Sequence, residues 1–170
     1  MVLIPLSGKV AAGRSAMVDD NMATELMKYR WYCNSKGYAG RSVNYRTSGG
    51  RRTMRTIYMH GDVWRLAGRT IPESQELDHI NGSPLDNCLE NLRLATCGQN
   101  QHNRKPQKGS TSRYKGVSWI KERGKRRAQI THNGKTIHLG LFTDEIDAAK
   151  AYDVAARRLF GEYARCNFTP

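Results

Sequence analysis

Asp78 and His79 stand side by side, and an Asn-, Gly- and Asp-rich stretch carries the chain from them to Asn100. A carboxylate, an imidazole and an amide in this order could cleave a phosphodiester. That reaction needs an activated water, neutralised charge at the scissile phosphate and a stabilised leaving oxygen. His79 suits the general base because imidazole titrates near neutrality. Asp78 and Asn100 are hard oxygen donors, which suit Mg²⁺, or Mn²⁺ as its substitute, better than a soft metal. An ion held by these two side chains keeps positions open for water and phosphate.

These residues must be positioned by strand, loop, strand and helix. Glu76 to His79 reads as a strand, and strand alternation sends Asp78 and His79 to opposite sides unless the strand ends at or just before them. Asn91-Leu92-Arg93-Leu94-Ala95 is the returning strand. Thr96 and Gln99 have the spacing of a capping box, which predicts a helix from about Cys97 to Lys105. On it Asn103 and Arg104 lie on the same side as Asn100.

The chain has 170 residues with a hydrophobic fraction of 38%, which suits small modules better than one thick core. Its formal net charge is +13, which favours a polyanionic partner. The charge is segregated. Residues 36–69 carry eight Lys or Arg against one acid, residues 101–135 eleven against one, and residues 70–100 one Arg against five acids. Cys33, Cys88, Cys97 and Cys166 are isolated, which argues against structural zinc and a disulfide framework and fits a reducing compartment. No apolar run reaches membrane-spanning length. Secretion and integral membrane placement are therefore disfavoured. Charge alone leaves nucleic acid or an anionic membrane surface as the polyanion, and the expected setting is the cytoplasm, on DNA rather than a membrane, with no obligate protein partner.

Residues 1–58 read as a β/α lead-in: Val2-Leu3-Ile4 as a strand, Val10 and Val18 on short strands, and a helix from Met22 toward Tyr29 capped by Asp20 or Asn21. Trp31 is a core candidate. A basic hairpin turns at Thr47-Ser48-Gly49-Gly50 and returns through Thr56 to Met59. Its Arg41, Arg51, Arg52 and Arg55 suit a phosphate backbone. His60 opens a helix that Gly68 stops. Residues 106–112 form a polar linker, and Pro106 ends the helix before it. Residues 113–170 follow as three strands and a helix: Tyr114–Ile120, Arg126–Thr131 and Thr136–Leu139, joined at Gly124 and Asn133-Gly134. Thr143 is the expected helix cap, and Ala148, Ala151, Tyr152, Ala155 and Leu159 its sheet-facing stripe.

Asp78-His79-Ile80-Asn81-Gly82, followed by Asp86-Asn87, Asn91-Leu92-Arg93 and Asn100, resembles the HNH endonucleases of the homing and phage type. The resemblance implies a ββα-metal core over residues 59–105, with His79 as base and Asp78 and Asn100 as metal ligands. In that family a middle Asn orders the loop and the base. Asn91 fits that place first and Asn87 second. Asn103 or Arg104 stands where some relatives have a further His, and Arg104 suits phosphate. His60 matches the start of the family's lead-in helix and implies a scaffold role.

Tyr114-Lys115-Gly116-Val117, Ala128-Gln129-Ile130, Leu139-Gly140-Leu141-Phe142, Ala148 to Asp153 and Asn167-Phe168 resemble the plant ethylene-response-factor (APETALA-type) DNA-binding domain. That resemblance implies a three-stranded sheet packed on one helix. It also implies a major-groove face of Lys115, Ser118, Arg127, Gln129, Thr136 and His138.

The expected fold is thus α+β, and the expected function is metal-dependent hydrolysis of duplex DNA at a recognised site. One site per chain cuts one strand; a double-strand break needs a dimer on DNA or two nicks. The alternative is a non-catalytic, sequence-specific DNA-binding protein on the same scaffold.

Overall fold

The computed structural model describes residues 1–104 and 109–168. Lys105 and residues 106–108 of the expected linker lie outside them. The chain divides into two compact units, Met1–Thr96 and Cys97–Pro170. That division falls inside the segment 59–105 read as the nuclease core. None of the helices in the described residues is long and apolar enough to cross a membrane.

The first unit opens with an antiparallel hairpin, β1 (Val2–Pro5) and β2 (Ser15–Val18). Val10, expected on a strand, lies in the turn between them and is exposed. Helix α1 spans Asp20–Leu26. It stops before Tyr29 because Trp31 folds back into the core, where its Nε1 donates to the carbonyl of Leu26 at 2.8 Å. That bond satisfies one of the orphan carbonyls of the last turn. Asp19, not Asp20 or Asn21, holds the N-cap position, and its carboxylate accepts from Leu89 N at 2.7 Å instead of capping the helix.

Strands β3 (Tyr32–Cys33), β4 (Ala39–Arg46) and β5 (Arg52–Tyr58) form an antiparallel sheet in that order. The return strand is longer than Thr56–Met59, and Met59 instead begins α2 (Met59–Leu66). Gly68, at φ 72°, follows α2 as the expected stop. α2 buries Met59, Val63 and Trp64 against Ile4, Val18, Leu26, Trp31 and Leu92. It also buries Asp62, which Arg41 Nε reaches at 3.0 Å and which Arg65 also pairs. The unit ends with the antiparallel pair β6 (Glu76–His79) and β7 (Leu92–Ala95).

His60, on the first turn of α2, lies parallel to Tyr58 with ring centroids 5.4 Å apart and edge-on to Tyr38 at 5.7 Å. Burial first, then the neighbouring His79, push its imidazole down to about 3 from 6.5.

The second unit holds α3 (Cys97–His102), shorter than the expected helix, and an antiparallel sheet of β8 (Val117–Ile120), β9 (Lys125–His132) and β10 (Lys135–Phe142). Asn133 and Gly134 both take positive φ, 51° and 73°, as a two-residue hairpin of primed type requires. Helix α4 (Glu145–Phe160) is capped by Asp144, not Thr143; its Oδ1 accepts from Ile146 N at 2.6 Å. α4 buries Ala148, Ala149, Tyr152, Asp153, Ala156 and Phe160. The inward face is therefore rotated by about one residue from the expected stripe, because the carboxylate of Asp153 belongs to it. That carboxylate accepts from Asn167 N at 2.7 Å and Phe168 N at 2.9 Å, and Asn167 bonds both backbone groups of Lys115.

Two predictions follow from this packing. Gly116 has φ +76°, and a Cβ there would run into the Tyr152 ring and come within 2.7 Å of Gln129 O. Gly124 has φ +56° but open space around it. In urea unfolding, Gly116→Ala should cost about 2–5 kcal/mol and Gly124→Ala about 1–2 kcal/mol; equal costs would show that the Tyr152 contact is not tight. The second concerns acid. Because the folded-state value for His60 lies below its unfolded one, its contribution is complete above pH 6.5 and is lost as pH falls toward 3. Stability of the wild type should therefore fall, relative to His60→Phe, by about 1.4 kcal/mol per pH unit within that window. Parallel pH–stability curves would refute this.

Candidate active site

Asp78 and His79 are the last two residues of β6, which runs in unbroken register with β7: Asp78 opposite Arg93, His79 opposite Leu92. The strand ends at the pair, as expected, but its register stays regular through His79, so neither side chain is rotated to the other's face. Alternation sends the two side chains to opposite faces, and both are buried, at 6% and 5% exposure. Such burial of a carboxylate demands a partner. Arg93 supplies it, with Nε at 3.0 Å and Nη2 at 2.9 Å from Oδ2 of Asp78. Sequence reading missed Arg93. The signal was present in the hairpin register, since a strand ending at His79 and one beginning at Leu92 set Arg93 across from Asp78.

The loop between β6 and β7 is closed by side-chain amides. Asn91 Oδ1 accepts from Asn81 N at 3.0 Å, while Asn91 Nδ2 donates to Asn81 Oδ1 at 3.1 Å and to Asp86 O at 2.8 Å. Asn81 Nδ2 in turn donates to Asp86 Oδ2 at 2.7 Å, and Gly82, at φ 66°, makes the turn by which its N–H reaches His79 O. The far side of the loop is pinned to β2: Met17 N donates to Leu85 O and Asn87 N to Met17 O, both at 2.8 Å. Together with the bond from Leu89 N to Asp19, these contacts give the N-terminal lead-in its purpose, which is to hold the loop.

Asn87 does something else. It is fully buried, and its Oδ1 lies 3.2 Å from His79 Nε2. An amide oxygen only accepts, so the contact is a hydrogen bond in the tautomer that carries its proton on Nε2. Burial lowers the pKa of His79 from its ordinary 6.5, although the bond to Asn87 and the charge of Asp78 pull the other way. Tyr38 and His60 enclose the ring, with centroids at 5.8 and 5.2 Å. Asn87 Nδ2 finds no acceptor among the described residues, a cost accepted where the amide must face the imidazole with its oxygen. The two contacts expected of one Asn, to the loop and to the His79 ring, are thus made by Asn91 and Asn87 respectively.

Asn100 stands half-buried on α3 in the second unit. There the helix end is fixed by His102, whose ring stacks on Phe160 at 3.7 Å and whose carbonyl accepts from the Lys115 ammonium. Arg104 is exposed. Lys115, expected on a DNA-facing surface, is half-buried. Burial and then Arg165 bring its ammonium down to about 8. Ser118, Arg127, Gln129, Thr136 and His138 lie on the sheet face away from the buried Ala128 and Ile130. Arg127 Nε is 3.3 Å from Ser118 Oγ, and Gln129 pairs with His138. In the first unit Arg51, Arg52 and Arg55 are exposed. Arg41 is taken up by Asp62 and lies 3.9 Å over the Tyr29 ring.

A carboxylate and a carboxamide match an oxygen-seeking ion such as Mg²⁺ in kind. Among the described residues no three His, Cys, Asp or Glu side chains gather to hold a metal by themselves. All four cysteines are free thiols.

The sequence profile of the HNH endonucleases matches residues 58–102, the span from the start of α2 through β6, β7 and α3. Protein 3.8 of Escherichia phage T7 is 40% identical over 106 residues, covering 62% of this chain and 87% of its own length. An uncharacterized HNH endonuclease of Acanthamoeba polyphaga mimivirus is 36% identical over 142 residues, covering 82% of this chain and 67% of its own. With a strand–strand–helix order carrying Asp78, His79 and Asn91 in the matched segment, and this extent of likeness to a viral HNH endonuclease, the chain belongs to the HNH endonuclease family.

Proposed function

We propose that the protein hydrolyses phosphodiester bonds of duplex DNA at a recognised site with the help of a divalent ion. The observation that carries this reading is the imidazole of His79, buried at the end of β6, its pKa lowered by that burial and its Nε2 held 3.2 Å from the amide oxygen of Asn87. Such a group takes a proton from water without first having to lose one of its own. Asp78, steadied by Arg93, and Asn100 are the residues that would hold Mg²⁺, with Mn²⁺ as substitute. When bound, the ion supplies charge neutralisation at the phosphate and support for the leaving oxygen. Asn91 keeps the loop closed so that the base and the carboxylate stay where β6 puts them.

The polyanion is held by arginines. Arg51, Arg52 and Arg55 on the hairpin and Arg104 after α3 are exposed and suit phosphates. The outer face of the β8–β10 sheet, with Ser118, Arg127, Gln129, Thr136 and His138, suits a major groove in the manner of the ethylene-response-factor domains. This face supports target recognition by the second unit, with Lys115 fixing α3 from beneath. Cleavage of one strand per chain follows from one base per chain.

A supercoiled-plasmid assay with Mg²⁺ tests the chemistry. His79→Ala should lower nicking by about 10²- to 10⁴-fold while leaving duplex binding intact. Equal nicking by both proteins would remove His79 from the role of base. Asn91→Ala should lose the three loop bonds together, costing about 2–4 kcal/mol in urea unfolding of the first unit along with the rate. A variant slowed but as stable as wild type would show that Asn91 acts on the reaction and not on the loop.

A further inference from the structure

We infer that the β4–β5 ribbon is a base-reading element that enters the major groove with one defined face. The inference rests on the reading of the chain as acting on duplex DNA and goes beyond a basic hairpin laid along phosphates. β3 pairs with Ala39 and Gly40, and from Arg41 to Arg46 the partner of β4 is β5. Beyond its root the ribbon is therefore two-stranded. Its register is unbroken, from Arg41 opposite Ile57 to Arg46 opposite Arg52.

Strand alternation divides the ribbon into two faces. The root of one is turned inward, with Arg41 on Asp62 and Val43 and Ile57 half-buried. The other carries Ser42, Asn44, Arg46, Arg52, Met54 and Thr56, every one exposed and Met54 at 68%. These are the side-chain types that discriminate base edges. Arg pairs with guanine O6 and N7, Asn with adenine N6 and N7, and apolar atoms meet the thymine methyl. A ribbon kept soluble by charge alone would have no use for a thioether in mid-face.

Charge points to the same occupant. Arg46 and Arg52 lie directly opposite each other, and like charges so placed destabilise a strand pair. The ribbon contains no acid to relieve them; a polyanion does. The five steps of strand from Arg41 to Arg46 give a length of about 17 Å. A two-stranded ribbon fits a groove about 12 Å wide, so the face spans roughly five base pairs.

The test uses the full chain carrying His79→Ala, so that bound DNA survives, and a duplex library with a randomised core. Bound molecules are sequenced with the ribbon intact, with Asn44→Ala, with Arg52→Ala, and with Arg55→Ala on the other face. The expected result is a selected motif in which one block flattens by about 5- to 150-fold per base pair in Asn44→Ala or Arg52→Ala, while the rest persists. Arg55→Ala should weaken all sequences alike and reduce the salt slope by about 1. Replacing guanine by 7-deazaguanine within the block should reproduce the loss seen with Arg52→Ala. An unchanged motif with uniformly weaker binding in Asn44→Ala and Arg52→Ala would make the ribbon a phosphate clamp and overturn the inference. Preference for an A-form RNA helix over the duplex library would overturn it as well. Failure of the nuclease reading shows separately, as wild-type protein that leaves plasmid uncut with Mg²⁺ whatever the selection yields.

Discussion

The side chain of Asn91 closes the loop between two short strands, and the arrangement of the candidate site depends on that closure. Residues 80–91 carry few large apolar groups, so hydrophobic burial offsets little of the roughly 1–2 kcal/mol per residue that fixing a backbone costs. Amide-to-backbone bonds do it instead. Asn91 reaches two points of the loop, Asn81 locks to Asp86, and β2 and Asp19 take the remaining backbone groups. Only with the loop fixed does Asn87 lie where its oxygen meets the imidazole of His79.

Buried charge is handled consistently. Asp78 has Arg93, Asp62 has Arg41 and Arg65, and Asp153 accepts from Asn167 and the backbone of Phe168. Each is a carboxylate whose isolation would be costly, and each is met with directed donors. The consequences differ. The Asp62 group anchors the root of the ribbon and consumes Arg41, an arginine that a charge count assigns to DNA. The Asp153 group joins the end of the chain to the start of the sheet. The Asp78 pair orients a carboxylate within the strand pair that also carries His79.

Much of this was readable. The strand pair that carries Asp78 and His79, the helix that follows it in the chain, the Asn-Gly hairpin, the burial of Trp31 and the division of β9 into a polar and an apolar face all follow from local patterns that the structure reproduces. The errors cluster where two local choices were nearly equal. Asp144 displaced Thr143 as a cap by one residue, and the inward face of α4 moved with Asp153. Asp62 went unread because Arg41 stands 21 residues before it, and Arg93 because its place across from Asp78 shows only once the hairpin register is followed. Lys115 looked like a surface cation because strand alternation does not show that a helix-end carbonyl awaits it.

The sequence by itself determined which segments become strand or helix and which residues could take a proton or hold an oxygen-seeking ion. Backbone periodicity, turn chemistry and side-chain donor sets act over a few residues, so they are written in the order of the chain. The tertiary structure alone decided that Asn91 staples the loop while Asn87 meets the His79 ring, and that Arg41 serves the core. Those assignments depend on which groups are brought within about 3 Å of one another. Strand register and the burial of β2 against the loop settle that, and neither is fixed by residue type or spacing.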